Sequence, residues 1–281
     1  MSQKLGNRRV TGTEQYYTPT SLANELTKEL FRVCPQLRTR AFLEPAGGNG
    51  SFVDALKAQG IKNLSSVDLH PKHQDVKEQD FLSYFPEESG LVTISNPPFG
   101  RNNALSVPFF NHAANFSDYI AFLVPRSWRK WSVQNRLDLR FHLIHDQEVS
   151  VDYVTDTGEP FGDKNELRTC FQIWEKRKQT RPLIKIEDQK LVEKCEPERA
   201  DLAIRVFGFG CGKVFFEFPR QSNTTLMFLR VLDQRVFDVI EGLDYEKFYM
   251  NTAFTKALSL QEINYLLNEK ILGDPFLENR S

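Results

Sequence analysis

The sequence of 281 residues predicts an α/β fold, a mostly parallel sheet with helices on both faces, followed by a small α+β domain. Two observations predict this organisation. Short apolar runs alternate with amphipathic segments as far as Pro125, which is the pattern of β-α-β crossovers between parallel strands. The composition then becomes charged between Arg181 and Glu198, with a proline near each end of that stretch. We therefore expect one domain in residues 1–185 and a second in residues 186–281.

The first predicted elements are a helix, a strand and a second helix. In "SLANELTKELFRVC" the apolar residues recur at helical spacing, with Thr20 or Ser21 as the predicted N-cap and Pro35 at the end. A short apolar strand then ends at Glu44 and is followed by a glycine-rich turn. The helix after that turn is closed by Gly60.

The next elements repeat this alternation. "NLSSVDLHP" predicts a strand ending at Asp68, and "GLVTISNPPFG" predicts a buried strand that runs into a turn at Asn96. "VPFFNHAANFSDY" predicts a helix and "IAFLVP" a further strand. In parallel sheets, ligands bind beyond the carboxyl ends of the strands. We therefore expect Glu44, Asp68 and Asn96 to be neighbours at a ligand site.

The remaining chain predicts a sheet edge and then the second domain. "VSVDYV" and "LRTCFQIWEK" are typical of two antiparallel edge strands. In the second domain, "LAIRVFGFGCGKVFFEF" predicts a hairpin whose alternating glycines indicate a β-bulge rather than a phosphate loop. "TTLMFLRVLDQRVFDVI" predicts an amphipathic helix. "SLQEINYLLNEKIL" predicts a helix that opens with a capping box from Ser259 to Glu262.

The composition argues against several classes of protein. Hydrophobic residues make up 40% and charged residues 26%, an ordinary globular balance. The 23 phenylalanines indicate aromatic-rich packing or flat ligand surfaces, and for most of them we expect the core. No apolar stretch is long enough to span a bilayer, and no signal-peptide pattern follows the first residues, so we expect a soluble intracellular protein without membrane contact. The four cysteines lie far apart, without CxxC or zinc spacing, which predicts reduced, mostly buried thiols and no metal.

Charge limits how the chain could contact a nucleic acid. The net charge of −1 argues against a protein that coats nucleic acid by bulk electrostatics. Any such contact would be local, and "PRSWRKW" offers Arg126, Arg129 and Lys130 as candidates close to the end of the fourth predicted strand.

The glycine-rich turn "EPAGGNGSF" has the features of a ligand loop. It lacks the spacing of a dinucleotide fingerprint and the lysine of a phosphate loop, so a phosphate cradle is not indicated. Gly47, Gly48 and Gly50 would let the backbone approach a ligand closely. Glu44 and Asp68 offer carboxylates to a cationic amine and to ribose hydroxyls.

With "SNPPF" added, the sequence resembles the class I S-adenosylmethionine-dependent methyltransferases, specifically the amino-methyltransferases with an (Asn/Asp)-Pro-Pro-(Tyr/Phe) motif. "QYYTP" is similar to the N-terminal motif of the gamma-type N6-adenine enzymes, and "QDFLSYF" to the segment whose aspartate, here Asp80, meets the cofactor's adenine. The resemblance covers residues 15–130 and implies a Rossmann-like sheet and S-adenosyl-L-methionine as cofactor. It implies cofactor contacts from Tyr17, Thr18, Pro19, Glu44, Pro45, Gly47, Gly50, Asp68, Asp80, Phe81 and Asn96.

The chemistry of such a family explains the rigid turn. An exocyclic adenine nitrogen is a poor nucleophile because its lone pair is delocalised into the ring. The Asn96 side-chain oxygen and the Pro97 carbonyl can each accept one of its N–H groups, and Pro97 and Pro98 fix φ so that the carbonyl keeps its direction. Phe99 would stack on the base. These four residues are the predicted catalytic group.

The polymer that carries the adenine is less strongly indicated. DNA is the favoured substrate, with the base flipped from the stack between Phe99 and a second aromatic, either Phe161 or Phe171. Arg126, Arg129 and Lys130 would face the substrate. RNA adenine, protein glutamine and a catalytically inactive cofactor-binding or nucleic-acid-binding subunit are the alternatives, and neither a monomer nor a dimer is favoured.

Overall fold

The computed structural model describes residues 17–154 and 167–276, and the chain divides into two compact units. The first unit comprises residues up to 125 together with 136–181, and the second comprises 126–135 together with the residues from 182 onward. The sequence placed a single boundary near residue 185. The structure instead divides the chain after Arg181 and groups residues 126–135 with the second unit.

Hydrogen bonds explain why the segment 126–135 belongs to the second unit. The Asn135 side chain donates to the Ile184 carbonyl at 2.8 Å and accepts from the Ile184 amide at 2.9 Å. Trp131 packs against Phe248 and Tyr265, with ring centroids 5.3 and 5.4 Å apart. The partly buried ring of Trp131 and the two hydrogen bonds of Asn135 thus fasten this short segment to residues far along the chain.

The first unit is a seven-stranded mixed sheet in the order β3-β2-β1-β4-β5-β7-β6. All pairings are parallel except those of β7, which runs antiparallel to both of its neighbours. This confirms the predicted class I, Rossmann-like α/β fold, with β3 as a strand that was not predicted. The elements are α1 (Thr20–Val33), β1 (Phe42–Glu44), α2 (Ser51–Ala58), β2 (Leu64–Asp68), β3 (Lys77–Glu78), β4 (Leu91–Ser95), α3 (Ser106–Ala113), β5 (Ser117–Pro125), β6 (Phe141–Val149) and β7 (Thr169–Lys176).

The aromatic-rich core that the composition predicted is centred on Phe110 of α3. Its ring meets Phe122, Phe141 and Trp174 edge-on, with centroids 6.1, 5.4 and 5.6 Å apart, and so ties the helix to β5, β6 and β7. Such edge-to-face pairs add about 0.5–1.5 kcal/mol each beyond area burial. Phe171 is wholly buried in β7. The expectation that Phe171 could stack on a base is therefore wrong.

Two boundaries in the first unit differ from the prediction. Pro19, rather than Thr20 or Ser21, is the N-cap of α1, and its carbonyl accepts the first helical bond from Ala23 at 3.0 Å. The predicted edge strand in "VSVDYV" is also misplaced, because β6 ends at Val149. The residues after it leave the sheet, and Val154 forms an isolated bridge with Tyr17 instead.

The second unit contains a four-stranded antiparallel sheet in the order β10-β9-β11-β8. The predicted hairpin is confirmed as β9 and β10, and the capping box of Ser259 and Glu262 is present at the start of α7. The elements are α4 (Trp131–Gln134), β8 (Val192–Lys194), β9 (Leu202–Arg205), β10 (Val214–Phe215), β11 (Leu226–Val231), α5 (Arg235–Val239), α6 (Glu246–Tyr249) and α7 (Leu260–Leu267).

The helix predicted in "TTLMFLRVLDQRVFDVI" is wrong. Its first half forms β11, which pairs with β9 on one side and β8 on the other, and only Arg235–Val239 are helical. A strand with partners on both edges satisfies its backbone through the sheet, which here outweighs the helical spacing of its apolar residues.

The thiols behave as the sequence predicted: Cys34, Cys170 and Cys211 are buried, Cys195 is partly buried, and all four are free. Within residues 17–154 and 167–276, no helix combines the length and apolarity needed to cross a membrane. Over the same residues, no cluster of three or more metal-binding side chains occurs.

Candidate active site

A cavity of about 740 Å³ opens at the carboxyl ends of β1, β2 and β4. This volume lies within the range of roughly 300–1,000 Å³ typical of small-molecule sites. The motifs that lie far apart in the sequence meet here because parallel strands end at one edge of the sheet. The nominated residues that line the cavity are Tyr17, Pro45, Asp68, Asp80, Phe81, Asn96, Pro97, Pro98 and Phe99.

Five further nominated residues of the first unit do not line the cavity, namely Thr18, Pro19, Glu44, Gly47 and Gly50. The two glycines shape the loop rather than touch the cavity. A Cβ on Gly47 would lie 2.2 Å from the Ser66 hydroxyl, so only glycine lets the loop approach β2 this closely. Gly50 has a φ of 80° immediately before α2, a backbone conformation that favours glycine.

Glu44 is a buried acid, with 1% of its surface exposed. One carboxyl oxygen, Oε1, accepts from the Ala46 amide at 3.0 Å and from the Ser95 hydroxyl. The other, Oε2, is buried without a hydrogen-bond partner. Burial raises the pKa of Glu44 to about 8, against the smaller opposing effect of its two hydrogen bonds. The carboxyl is therefore mostly protonated at neutral pH.

Asp68 fastens the glycine loop to the end of β2. Its Oδ2 accepts from the Gly48 amide at 2.9 Å, and its Oδ1 accepts from the His70 amide at 2.8 Å. A Cβ on Gly48 would lie 2.8 Å from the ring of Tyr17, which therefore packs directly on the loop. Each carboxylate oxygen can accept more than one hydrogen bond, so Asp68 keeps capacity for hydroxyl groups in the cavity.

Phe81 forms an apolar wall of the cavity, and the carboxylate of Asp80 lies beside it as a hydrogen-bond acceptor. Asp80 Oδ1 accepts from the Leu82 amide at 3.0 Å and starts a short helical turn that presents Leu82 to the cavity. The ring of Phe81 is held by Phe109 and His112, with centroids 5.0 and 4.9 Å away. A flat apolar surface next to a carboxylate suits a heteroaromatic ring that carries an amino group.

Asn96 follows the last residue of β4 and is held by the N-terminal motif. Its Nδ2 donates to the Thr18 hydroxyl oxygen at 3.1 Å, and the Thr18 carbonyl accepts from the Ser51 hydroxyl at 2.7 Å. These bonds link "YTP", the first turn of α2 and the Asn-Pro-Pro-Phe turn. Phe99 lines the cavity with 8% of its surface exposed, and its carbonyl accepts from the Leu105 amide at 3.2 Å.

The segment after Phe99 also lines the cavity, although we did not nominate it. Asn102 and Asn103 have φ of 55° and 60°, the left-handed region that asparagine tolerates better than most residues. The two asparagines of "GRNN" are thus a sequence signal that predicts a turn here. The exposed Arg101 places a positive charge on the cavity lining. Gly48, expected as part of the ligand loop, lines the cavity, and the other lining residues that were missed are Ala46, Leu69, His70, Leu82, Gly100, Ala104, Leu105 and Phe109.

The residues nominated for substrate contact are not brought together in the same way. Phe161 lies outside the described residues. Arg126, Arg129 and Lys130 belong to the second unit, where the Lys130 ammonium pairs with Glu262 at 2.8 Å. Their contact with substrate stays a prediction.

Comparison with protein-family models gives no match. Two curated relatives, the type II methyltransferases M.HincII and M.HindII of Haemophilus influenzae, are each 30% identical to this chain over 95 residues. The predicted resemblance to the methyltransferases is confirmed. The matched stretch covers 33% of this chain and only 18% of each relative, so the activity of the whole methyltransferase-like chain is a matter for proposal.

Solved structures also resemble this chain over part of its length. A proposed RNA methyltransferase from Pyrococcus horikoshii has 18% identity and a TM-score of 0.47, over 61% of this chain and 92% of its own. TrmN from Thermus thermophilus has 17% identity and a TM-score of 0.40, over 56% of this chain and 48% of its own. The similarity to these chains is distant, and we therefore infer function from the residues of the cavity.

Proposed function

We propose that this chain transfers a methyl group from S-adenosyl-L-methionine to the exocyclic N6 amino group of adenine in DNA. The observation that carries the proposal is that Asn96 and Pro97 line the same cavity as Asp68 and Asp80. Acceptors for an amino group and acceptors for a nucleoside-like cofactor thus share one space. The similarity to two type II methyltransferases supports the same reaction class.

The residues of the cavity fit the cofactor. Asp68 would accept from ribose hydroxyls, and Asp80 would accept from an adenine amino group whose ring lies against Phe81 and Leu82. Burial keeps Glu44 mostly protonated in the cofactor-free chain, and a cationic amine of the ligand placed beside its unpartnered Oε2 would lower the pKa and ionise the carboxyl. When bound, the cofactor supplies an electrophilic methyl group on a sulfonium.

The chain's own residues would make the amino group nucleophilic. Because the amide nitrogen of Asn96 donates to Thr18, we expect its oxygen, an atom with two lone pairs, to take the acceptor role. Pro97 contributes a backbone carbonyl. Together the two acceptors draw the nitrogen lone pair out of conjugation, and the geometry is fixed before the substrate arrives. The alkylated nitrogen then releases one proton to solvent, so no strong base is needed.

DNA is the polymer of this proposal, and a duplex substrate would require base flipping, at a cost of a few kcal/mol. Phe99 offers an aromatic surface for the extruded base, worth on the order of 1–3 kcal/mol where stacking occurs. Arg101 lies on the cavity lining and could meet a flanking phosphate.

The test is a panel of acceptors with labelled S-adenosyl-L-methionine: duplex DNA, single-stranded DNA, RNA and protein, with mass analysis of the methylated nucleoside. We expect N6-methyladenine in DNA. Asn96→Ala should lower turnover by at least about 100-fold, the scale for losing a positioned oxyanion-hole-type group, and leave the cofactor Kd nearly unchanged. Exposed Asn63, whose side chain donates to Glu88, supplies the matched control Asn63→Ala.

Label in RNA or in protein alone would overturn the choice of DNA. Turnover by Asn96→Ala close to that of the unchanged chain would overturn the acceptor mechanism. Cofactor binding without methyl transfer to any acceptor would favour an inactive binding subunit.

A further inference from the structure

A loop in the second unit displays a phenylalanine to solvent. The Phe209 side chain is 99% exposed at the tip of "GFGCGK", between β9 and β10. Neither the fold nor the methyl-transfer cavity uses this residue. A fully exposed large apolar ring has no stabilising role in the folded unit, which raises the question of what it contacts.

The backbone of this loop is tightly held. Gly208 donates to the Lys256 carbonyl at 3.0 Å, and Gly212 donates to the Arg205 carbonyl at 2.7 Å. Gly208, Gly210 and Gly212 all have positive φ, between 74° and 94°, so the alternating glycines permit the tight path.

A buried side chain also anchors the loop. Cys211 packs in the core of the second unit, and burial raises the pKa of its thiol to about 11. With both edges hydrogen-bonded and Cys211 buried, Phe209 is presented by a pre-organised loop, which lowers the entropy lost on binding.

Positively charged residues stand at both ends of the loop that carries Phe209. Arg205 and Lys213 flank the loop, and both lie over the ring of Phe215, with the guanidinium carbon 5.7 Å and the ammonium 5.2 Å from its centroid. The Arg205 side chain passes beneath the tip, since a Cβ on Gly210 would lie 3.5 Å from its Cδ. Lys256 is the residue whose carbonyl holds Gly208.

Two further observations sharpen the chemistry of this surface. Glu262, the acid that acts electrostatically on Cys211, is already paired with Lys130 at 2.8 Å. The charges of Glu262 and Lys130 therefore largely compensate each other. Phe207 and Phe254, both exposed, add apolar area next to the loop and to Lys256.

We propose that the surface formed by Phe209, Arg205, Lys213 and Lys256 contacts the nucleic-acid substrate, with the Phe209 ring stacking on a base and the three cations meeting phosphates. The proposal rests on the proposed function, because it presumes a nucleic-acid substrate. An exposed aromatic ring on a loop flanked by cations is a pattern that binds nucleotides through stacking and phosphate contacts. A symmetric pairing of two copies through the same surface would place these cations against one another, which opposes self-association.

The experiment measures oligonucleotide binding by the full chain. Phe209→Ala should weaken the Kd for a fluorescent oligonucleotide by about 5- to 150-fold, the equivalent of about 1–3 kcal/mol of lost stacking, and Phe209→Trp should restore it. Lys213→Gln should make the slope of log Kd against log salt shallower by about 0.7 to 0.9, the value of one phosphate contact. Phe85, 69% exposed in the first unit, gives the control Phe85→Ala, whose Kd should stay within about twofold of the unchanged chain.

An unchanged Kd for Phe209→Ala, or an unchanged salt slope for Lys213→Gln, would overturn this inference. A loss of dimer in sedimentation of Phe209→Ala, with unchanged oligonucleotide binding, would overturn it in favour of self-association. If the chain methylates DNA while Phe209→Ala binds normally, this inference fails and the proposed function stands. If Phe209→Ala loses binding but the chain methylates no nucleic acid, the proposed function fails and the binding surface stands.

Discussion

Substitution of the buried Glu44 by glutamine should change how stability depends on pH. The pKa of Glu44 is raised from 4.5 to about 8 by burial, so the folded chain keeps a proton that the unfolded chain releases. The free energy of unfolding should therefore fall as the pH rises from about 4.5 to about 8. A pKa difference of this size between the folded and unfolded chain corresponds to a contribution on the order of 5 kcal/mol to the free energy of unfolding. This contribution is fully present below pH 4.5 and is lost by pH 8.

Glu44→Gln has nearly the same shape but no ionisation. Its Oε1 can still accept from Ala46 and Ser95, while its amide nitrogen takes the place of the unpartnered Oε2. That buried donor adds a cost of about 1–3 kcal/mol that does not vary with pH. The pH dependence of the difference between the two chains, rather than its absolute value, is thus the informative quantity.

The assay is urea unfolding of the cofactor-free chain and of Glu44→Gln at several pH values from 5 to 9. Between pH 5 and pH 8 the variant should gain about 4 kcal/mol relative to the unchanged chain. Exposed Glu25→Gln is the control for removing one surface carboxylate. A difference between the chain and Glu44→Gln that is constant across this range would refute the reasoning, since it would mean that Glu44 is already ionised at pH 5 in the folded state.

Two other substitutions test the contacts that shape the cavity. Thr18→Val removes the acceptor of the Asn96 amide nitrogen, and the loss of one hydrogen bond of about 0.5–1.5 kcal/mol should lower the rate of single-turnover methyl transfer by about 2- to 13-fold. Thr18→Ser should retain the rate. Equal rates for the valine and serine variants would contradict a positioning role for Thr18. Gly47→Ala places a Cβ 2.2 Å from the Ser66 hydroxyl and 2.9 Å from Val76, and should lower the free energy of unfolding by about 1–3 kcal/mol in urea titration; unchanged stability would mean that these side chains move aside at little cost.

The arrangement of the sheet could be predicted because it follows from local patterns. The apolar runs before Glu44, Asp68 and Asn96 alternate with helices, and this alternation predicts parallel strands. Parallel strands bring their carboxyl ends, and therefore these three residues, to the same edge of the sheet. The same patterns misled in "TTLMFLRV". There Met227, Leu229 and Val231 are buried as alternate residues of a strand, but the buried Phe228 between them obscured the alternation.

The side-chain contacts that position Asn96 and bury Glu44 could not be predicted from local sequence patterns. Thr18 and Asn96 are 78 positions apart, and nothing local to either motif predicts that the hydroxyl of one accepts from the amide of the other. The same holds for Glu44, which the sequence suggested as an accessible carboxylate. Whether an acid at a strand end is exposed or buried depends on what packs over it, and here the glycine loop and Ser95 enclose it.

The charge distribution suggests that methyl transfer and nucleic-acid binding depend on different residues. The cavity of the first unit is lined by two carboxylates, Asp68 and Asp80, with Arg101 as a positive charge, which suits a small cationic cofactor better than a phosphate backbone. A chain with net charge −1 must therefore gain affinity for nucleic acid from local clusters of cations. If the surface around Phe209 is such a cluster, Asn96→Ala should lower kcat at constant Kd for the oligonucleotide, whereas Phe209→Ala should raise Kd and KM at constant kcat under saturating substrate. Loss of both properties in either variant would mean that binding and chemistry are not separable in this protein.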